Sequence, residues 1–267
     1  MRRLAYVFAL LAGTSAGAAP CITEQGQFGS YKQALAQEAS SAGIGQVGLQ
    51  ALANAQLSGI TWRFESRPSS QTGVSYGDPA EFLAKRSGST ADNFIALARR
   101  KKEQNAAFFA QVENAYGVPA NILVTIWMLE TGGGSYLGET PVVGGSITLA
   151  SYCRRHPRFE QDAIAALRMV DTGMISPNTR GGPSGELGHM QFLPSNWLRY
   201  GVDGTGDGVA NPYEASDALA SAANMLRQGG WRAGQPFGDG TANFGVLRVW
   251  NDSGNYQRAI AYAAERI

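Results

Sequence analysis

Tyr116-Gly117-Val118-Pro119-Ala120-Asn121-Ile122-Leu123-Val124-Thr125-Ile126-Trp127-Met128-Leu129-Glu130-Thr131-Gly132-Gly133-Gly134 is the stretch whose reading decides the fold. It reads as one helix. Pro119 suits the first helical turn, where its missing N–H costs nothing. Ile122, Leu123, Ile126, Trp127 and Leu129 recur at spacings of three and four, so a wide face is apolar. Gly132 to Gly134 stop the helix and let backbone or ligand approach closely.

Glu130 falls in the last turn of that helix, beside Leu129 and one turn above Trp127 and Ile126. Burial among such neighbours favours the protonated carboxyl and raises its pKa. The negative end of the helix dipole pushes the same way by only about 0.3–1 kcal/mol, so burial decides. A carboxyl kept protonated near neutral pH is what general-acid cleavage of a glycosidic bond requires. The alternative is a solvated Glu that closes a helix, and this stretch alone leaves both open.

Outward from it, the N-terminus opens on Met1-Arg2-Arg3-Leu4, an apolar run over Ala5–Leu11, and the small residues Ala16-Gly17-Ala18. That order predicts a secretory signal peptide over 1–18, cleaved near Ala18, and so an exported, periplasmic protein. The apolar run is too short to span a bilayer, and Pro20 is the wrong residue before Cys21 for a lipid anchor. The rest of the 267-residue chain is long enough for a substantial core. A formal net charge of +1 and a charged fraction of 16% give no electrostatic case for nucleic acid or for an anionic membrane. Arg99-Arg100-Lys101-Lys102 reads as a solvated helix face. The two cysteines, Cys21 and Cys153, predict a disulfide in an oxidising compartment, the alternative being two buried thiols. Two histidines, His156 and His189, are too few for a histidine-built metal site.

The chain reads as mainly α. Helices are expected over Phe28–Leu57, around Ala80–Leu83, over Asp92–Tyr116, Ile147–Tyr152, Phe159–Met169 and Asp217–Leu226. Loops are expected over Ser58–Pro79, Gly133–Ser146 and Thr172–Gly188. Strand signals are weak throughout.

Two further segments carry chemistry. Asp203-Gly204-Thr205-Gly206-Asp207-Gly208-Val209 spaces oxygen donors at alternate positions before a sharp turn, like the first half of an EF-hand loop. Asp203, Thr205, Asp207 and the Val209 carbonyl would ligate Ca2+, with Glu214 at position twelve or Asp217 as the closing carboxylate. An Asp/Gly-rich turn without metal is the alternative. Gly188-His189-Met190-Gln191-Phe192-Leu193-Pro194-Ser195 offers Gln191, which donates and accepts as sugar recognition demands.

In order, Leu129-Glu130-Thr131 before glycines, Gly188-x-x-Gln191-Phe192-x-Pro194-Ser195, Val202-Asp203-x-x-Gly206-Asp207-Gly208 and Asp217-Ala218-x-x-Ser221-x-Ala223-Asn224 resemble the B-type lytic murein transglycosylases. The likeness runs from Tyr116 to Trp231 and resumes at Asn243-Phe244 and Trp250–Tyr256. It implies a lysozyme-like helical core over 111–267 behind an N-terminal helical region over 19–110. It implies a cleft for peptidoglycan glycan strands, with Glu130 as acid then base and with Tyr136, Ser184, Gln191, Phe192, Asn251 and Tyr256 as substrate-binding residues. It implies that Asp217 closes a structural calcium loop, and that the reaction leaves 1,6-anhydro-muramoyl ends with no organic cofactor. The chain departs from the pattern at Trp250, where the family has Tyr, and at His189. It departs again at Glu186, where a small apolar residue is expected, and at Gly182, where a cleft Ser is expected, with Ser184 two residues on. Glu186 keeps a second reading open, a muramidase with two carboxylates. A peptidoglycan-binding protein without turnover is the third.

Overall fold

The computed structural model describes residues 19–67 and 77–267, and the signal peptide expected over 1–18 lies outside them. Six helices come first: α1 (Phe28–Ser41), α2 (Gln46–Asn54), α3 (Gly59–Glu65), α4 (Pro79–Ser87), α5 (Ala91–Gln104) and α6 (Ala106–Tyr116). The span expected to be one helix over Phe28–Leu57 breaks at Gly43, whose φ of 78° suits glycine. The segment from Ser58, expected to be loop, instead opens with α3. Its start is capped by the Ser58 hydroxyl, which accepts the Thr61 N–H. Trp62 on α3 packs edge-on against Tyr152, with ring centroids 5.0 Å apart. Tertiary burial of Thr61 and Trp62 thus holds a helix in a stretch whose composition reads as turn.

The Glu130 helix is α7 (Ala120–Thr131), with Pro119 as its N-cap. Ile122, Leu123, Val124 and Ile126 are all fully buried, so what reads as a wide apolar face is a helix enclosed on most sides. Gly132, Gly133 and Gly134 take φ of 61°, 68° and 85° and end it as expected. There follow β1 (Thr140–Pro141), α8 (Val142–Ser151), α9 (Glu160–Asp171), β2 (Arg180–Gly181), α10 (Pro194–Tyr200), α11 (Ala215–Gln228), α12 (Ala242–Val246) and α13 (Gly254–Ala264). α8 begins at Val142 rather than Ile147. Gly144 and Gly145 lie inside it because a Cβ there would press on the Gln56 carbonyl at 2.7 Å and the Gly185 amide at 2.8 Å. They serve close packing, not a turn.

Around α7 stand α5, α6, α11 and α13, while α4 lies along α13 and α9 joins α8, α2 and α10. β1 and β2 pair antiparallel, Thr140 opposite Gly181, and form the one named sheet among the described residues. One hydrophobic cluster runs from Ala19 and Phe28 through α7 to Ile260. Residue 110, where the sequence divides an N-terminal region from a catalytic one, lies inside α6. Cys21 and Cys153 are bonded, their Cα atoms 4.8 Å apart. Ile22 beside them donates its N–H to the Ser151 carbonyl at 2.8 Å, so the start of the described chain is tied to the end of α8. The mainly α, lysozyme-like reading holds.

Candidate active site

The last turn of α7 delivers Glu130 into a cleft of about 530 Å3. The residue is half-buried, but its carboxyl is enclosed. One oxygen, Oε1, accepts two hydrogen bonds: the Tyr256 hydroxyl donates at 2.6 Å and the Trp250 indole N–H at 3.0 Å. Burial pushes the Glu130 pKa up, and the two donors pull partly back because they favour the charged form. The Arg86 guanidinium also lowers it, and the Glu186 carboxylate raises it. The net direction is upward, as a general acid needs.

Each partner is fixed in turn. Tyr256 is buried on α13, its ring edge-on to Phe82 of α4 at 5.8 Å. The Trp250 indole stands edge-on to Phe192 at 5.2 Å, and Phe192 to Trp197 at 5.4 Å. Phe192 is only 2% exposed. It forms wall, and it aims Trp250. Tyr256, expected as a substrate contact, is bonded to the acid itself.

Gln191 lines the cleft at φ 48°, a left-handed backbone unusual for a residue with a side chain. That conformation is held by the bridge Leu187–Phe192, in which each residue's N–H bonds the other's carbonyl, at 2.8 and 3.1 Å. Gln191 Nε2 donates to the carbonyls of Gly188 at 2.8 Å and Leu137 at 3.2 Å. Strain of this kind costs on the order of 1–3 kcal/mol and clusters at functional sites. Tyr136, 61% exposed, stands at the cleft wall, and Ser184 and Asn251 line it as well.

Glu186 shares this cleft. Its Oε2 accepts the Ser184 N–H at 2.7 Å, and burial pushes its pKa up. A Cβ at Gly182 would collide with Glu186 Oε2 and Gln191 Oε1. The two departures are therefore one: glycine at 182 leaves the room that the Glu186 carboxylate fills. His189 lies apart, behind α7. The Trp127 indole donates to its Nδ1 at 3.3 Å, and burial pushes its pKa down.

Three charged cleft residues have no forewarning in the sequence. Arg86 comes from α4, and Arg155 is clamped to Glu65 of α3, with Nε to Oε2 at 2.7 Å. Arg154 bonds the same Glu65 oxygen at 2.7 Å. Nothing local marks these residues, since an exposed helical Arg and a loop Glu look solvated. Trp250 and Glu186 did give a signal, as departures from an expected pattern.

In the Asp203 loop, Asp203 accepts N–H groups from Gly206 at 2.6 Å and Gly208 at 2.7 Å, which hold its pKa below the usual carboxylate range. Asp207 accepts the Val209 N–H at 2.8 Å. Asp217 is fully buried and accepts N–H groups from Gly204, Thr205 and Asn211. The donor set is all oxygen, as a hard cation requires. Among the described residues no three acidic or histidine side chains are gathered around one point. The loop is closed by its own amides.

The model of the transglycosylase SLT domain matches residues 27–240, most of the chain and all of α1 to α11. The chain belongs to the transglycosylase SLT family. Within it, the chain is 34% identical over 141 residues to membrane-bound lytic murein transglycosylase B of Escherichia coli K12, a match spanning 49% of this chain and 39% of that protein. The fold is shared with SltB3 of Pseudomonas aeruginosa, solved with NAG-anhNAM-pentapeptide (TM-score 0.76, 23% identity, 89% of this chain and 78% of that one). It is shared also with E. coli Slt35, solved with calcium (TM-score 0.71, 22% identity, 87% and 92%). The SLT match takes in Glu130, Gln191 and the Asp203 loop, and ends before Trp250 and Tyr256, the residues that bond the acid.

Proposed function

We propose that this SLT protein is a lytic transglycosylase that cleaves the N-acetylmuramic acid–N-acetylglucosamine bond of peptidoglycan without water. The carrying observation is Glu130, an enclosed carboxyl with raised pKa held by two donors in a polar cleft. The E. coli relative's name and the sugar-peptide ligand of the P. aeruginosa structure support the substrate class. In this reading Glu130 protonates the leaving oxygen while the substrate's own acetamido carbonyl supports the anomeric centre. Glu130, now ionised, takes the proton from the muramoyl 6-hydroxyl, which attacks intramolecularly with the high effective molarity of a tethered group. Tyr256 and Trp250 stabilise the ionised interval, because both donate to the carboxylate. The substrate lies outside the cytoplasm, and the Cys21–Cys153 bond suits that compartment.

Glu130→Gln tests it. Activity on sacculi should fall by at least about 10²–10⁴-fold, the usual contribution of acid–base catalysis, while binding survives. Wild-type products should carry anhydro ends, about 18 Da lighter than hydrolysed ones because the tethered hydroxyl replaces water. Wild-type turnover by the Gln variant would remove Glu130 from the mechanism. One observation favours a second reading: Glu186 lines the same cleft. If it activates water, products carry reducing ends, and Glu186→Gln removes them.

We propose further that Asp203, Thr205, Asp207, the Val209 carbonyl and Asp217 bind a stabilising calcium ion. The alternating oxygen donors and the calcium in the E. coli Slt35 structure support this. Calcium at a hundredfold excess over its dissociation constant adds about 2.7 kcal/mol of stability. The melting temperature should rise with calcium in the wild type and not in Asp207→Ala; an unchanged wild-type value would count against the site.

A further inference from the structure

Two hydrogen bonds leave the last turns of α7 and end on one residue outside the cleft. The Trp127 indole N–H donates to the His189 ring nitrogen Nδ1 at 3.3 Å, and the Thr131 hydroxyl donates to the His189 carbonyl at 2.8 Å. Trp127 and Thr131 are buried and bracket Glu130 in the chain. The same Thr131 hydroxyl accepts the Gly134 N–H at 3.0 Å, which draws the glycine stop into the joint. A Cβ at Gly134 would sit 2.6 Å from the His189 ring, so the ring uses the space that glycine leaves. His189 also donates its backbone N–H to the Pro212 carbonyl at 3.0 Å. Two residues on stands Gln191, with its left-handed backbone. Because Nδ1 accepts a hydrogen bond, the ring is neutral and carries its hydrogen on Nε2. Burial pushes its pKa down and keeps it so. Lys101 sets a cation over the Trp127 ring, 5.2 Å from its centroid, which disfavours a second charge beside it.

We propose that His189 is a positioning residue: its ring nitrogen and its carbonyl fasten the last turn of α7, which carries Glu130, to the loop that carries Gln191, so that acid and amide keep one spacing. The inference rests on the reading of Glu130 as the acid. Tyr256 and Trp250 grip the carboxyl itself, but their two bonds do not fix the turn from which it springs. His189 grips that turn on both sides of Glu130, at Trp127 and at Thr131. Gln191 is joined to the same residue through Met190, which is fully buried. A buried indole N–H has no water to turn to, so a side chain without an acceptor at 189 leaves it unpaired and frees the turn to shift. A displacement of about 1 Å is enough to cost on the order of 10²-fold in rate. His189 takes no proton from the substrate in this account, and it acts through Glu130 and Gln191. The departure from the transglycosylase pattern at 189 thereby gains a function, since an imidazole supplies the acceptor that the indole needs.

The test is steady-state kinetics of the full chain on a soluble glycan fragment of peptidoglycan. His189→Phe fills the space but accepts nothing, so kcat should fall about 10- to 100-fold while KM holds, because alignment is lost and binding is not. His189→Gln restores an acceptor and should recover most of that loss. Trp127→Phe removes the donor, and adding His189→Phe to it should cost little more, since both substitutions break one bond. An unchanged kcat in His189→Phe, equal losses in the Phe and Gln variants, or additive losses in the pair overturn the proposal. Nitrogen NMR of the unaltered protein gives a readout that needs no variant to be active. The chain has two histidines, so His156→Gln assigns the signals. Nδ1 should be the bare, hydrogen-bonded nitrogen and Nε2 the protonated one; the reverse tautomer overturns the proposal. Absence of wild-type cleavage defeats the transglycosylase reading and this inference with it. Cleavage that is lost in Glu130→Gln but kept in His189→Phe defeats only this one.

Discussion

Glu130 is governed by groups of opposite effect, and each can be removed separately. Only the protonated acid donates, so kcat/KM falls as pH rises through its pKa. Trp250 donates to Oε1 and so favours the ionised form, while the Glu186 charge disfavours it. Trp250→Phe keeps the ring against Phe192 but loses the donor, so the alkaline limb of the pH–rate profile should move to higher pH. Glu186→Gln removes an anion, so the limb should move to lower pH. Shifts of one sign in both variants would mean that the two residues act through packing instead. Trp250, where the resemblance leads one to expect Tyr, supplies an N–H to the acid, so that departure leaves the acid supported. Gly182 and Glu186 likewise make sense only together, since one supplies the volume that the other occupies.

Among the elements, α2 and α9 show how distant helices are locked. Asp171, at the end of α9, accepts the Gly45 and Gly48 N–H groups at 2.8 and 3.0 Å and so caps the start of α2. The Gly48 amide first, then that of Gly45, holds the Asp171 carboxyl below the usual range. A depressed folded pKa means that the stabilisation is present above the unfolded value of about 3.9 and is lost as pH falls through the folded one. Asp171→Ala should therefore lower the urea midpoint at pH 7, and the gap to wild type should close in acid. A gap independent of pH would show that the cap acts by shape rather than charge. α3 is locked differently. Glu65 on it bonds Arg154 and Arg155, which brings Arg155 into the cleft wall.

Across the whole molecule, the Cys21–Cys153 bond closes a span of 132 residues. In the chain-entropy model such a loop is worth about 4–5 kcal/mol, and less where the reduced chain keeps structure. Neither cysteine lines the cleft. Reduction, or Cys21→Ser with Cys153→Ser, should lower the melting temperature by on the order of 10 °C, at a few degrees per kcal/mol for a chain of this size, and leave room-temperature activity in place. An unmoved melting temperature would leave the bond without a stabilising role. The shared hydrophobic cluster makes the same point: helices on either side of residue 110 bury one core, and α4 supplies Arg86 to the cleft.

The sequence by itself determined what local chemistry and spacing can encode. The Glu130 helix and its glycine stop follow from apolar periodicity and positive-φ demands, the disulfide from a cysteine count, and the helical class from weak strand signals. Gln191 was visible as part of an ordered motif, though not its strained backbone, which needs the Leu187–Phe192 bridge to impose it. Tertiary structure alone decided α3, where burial of Trp62 outweighs a turn-like composition, and α8, whose glycines permit contact rather than bending. It alone set Tyr256 and Trp250 on Glu130, 126 and 120 residues away in the chain. It alone brought Arg86, Glu65 and Arg155 to one cleft. Long-range hydrogen bonds and fields depend on positions in space, and hydrophobic periodicity records only which face is buried, not which distant residue it meets.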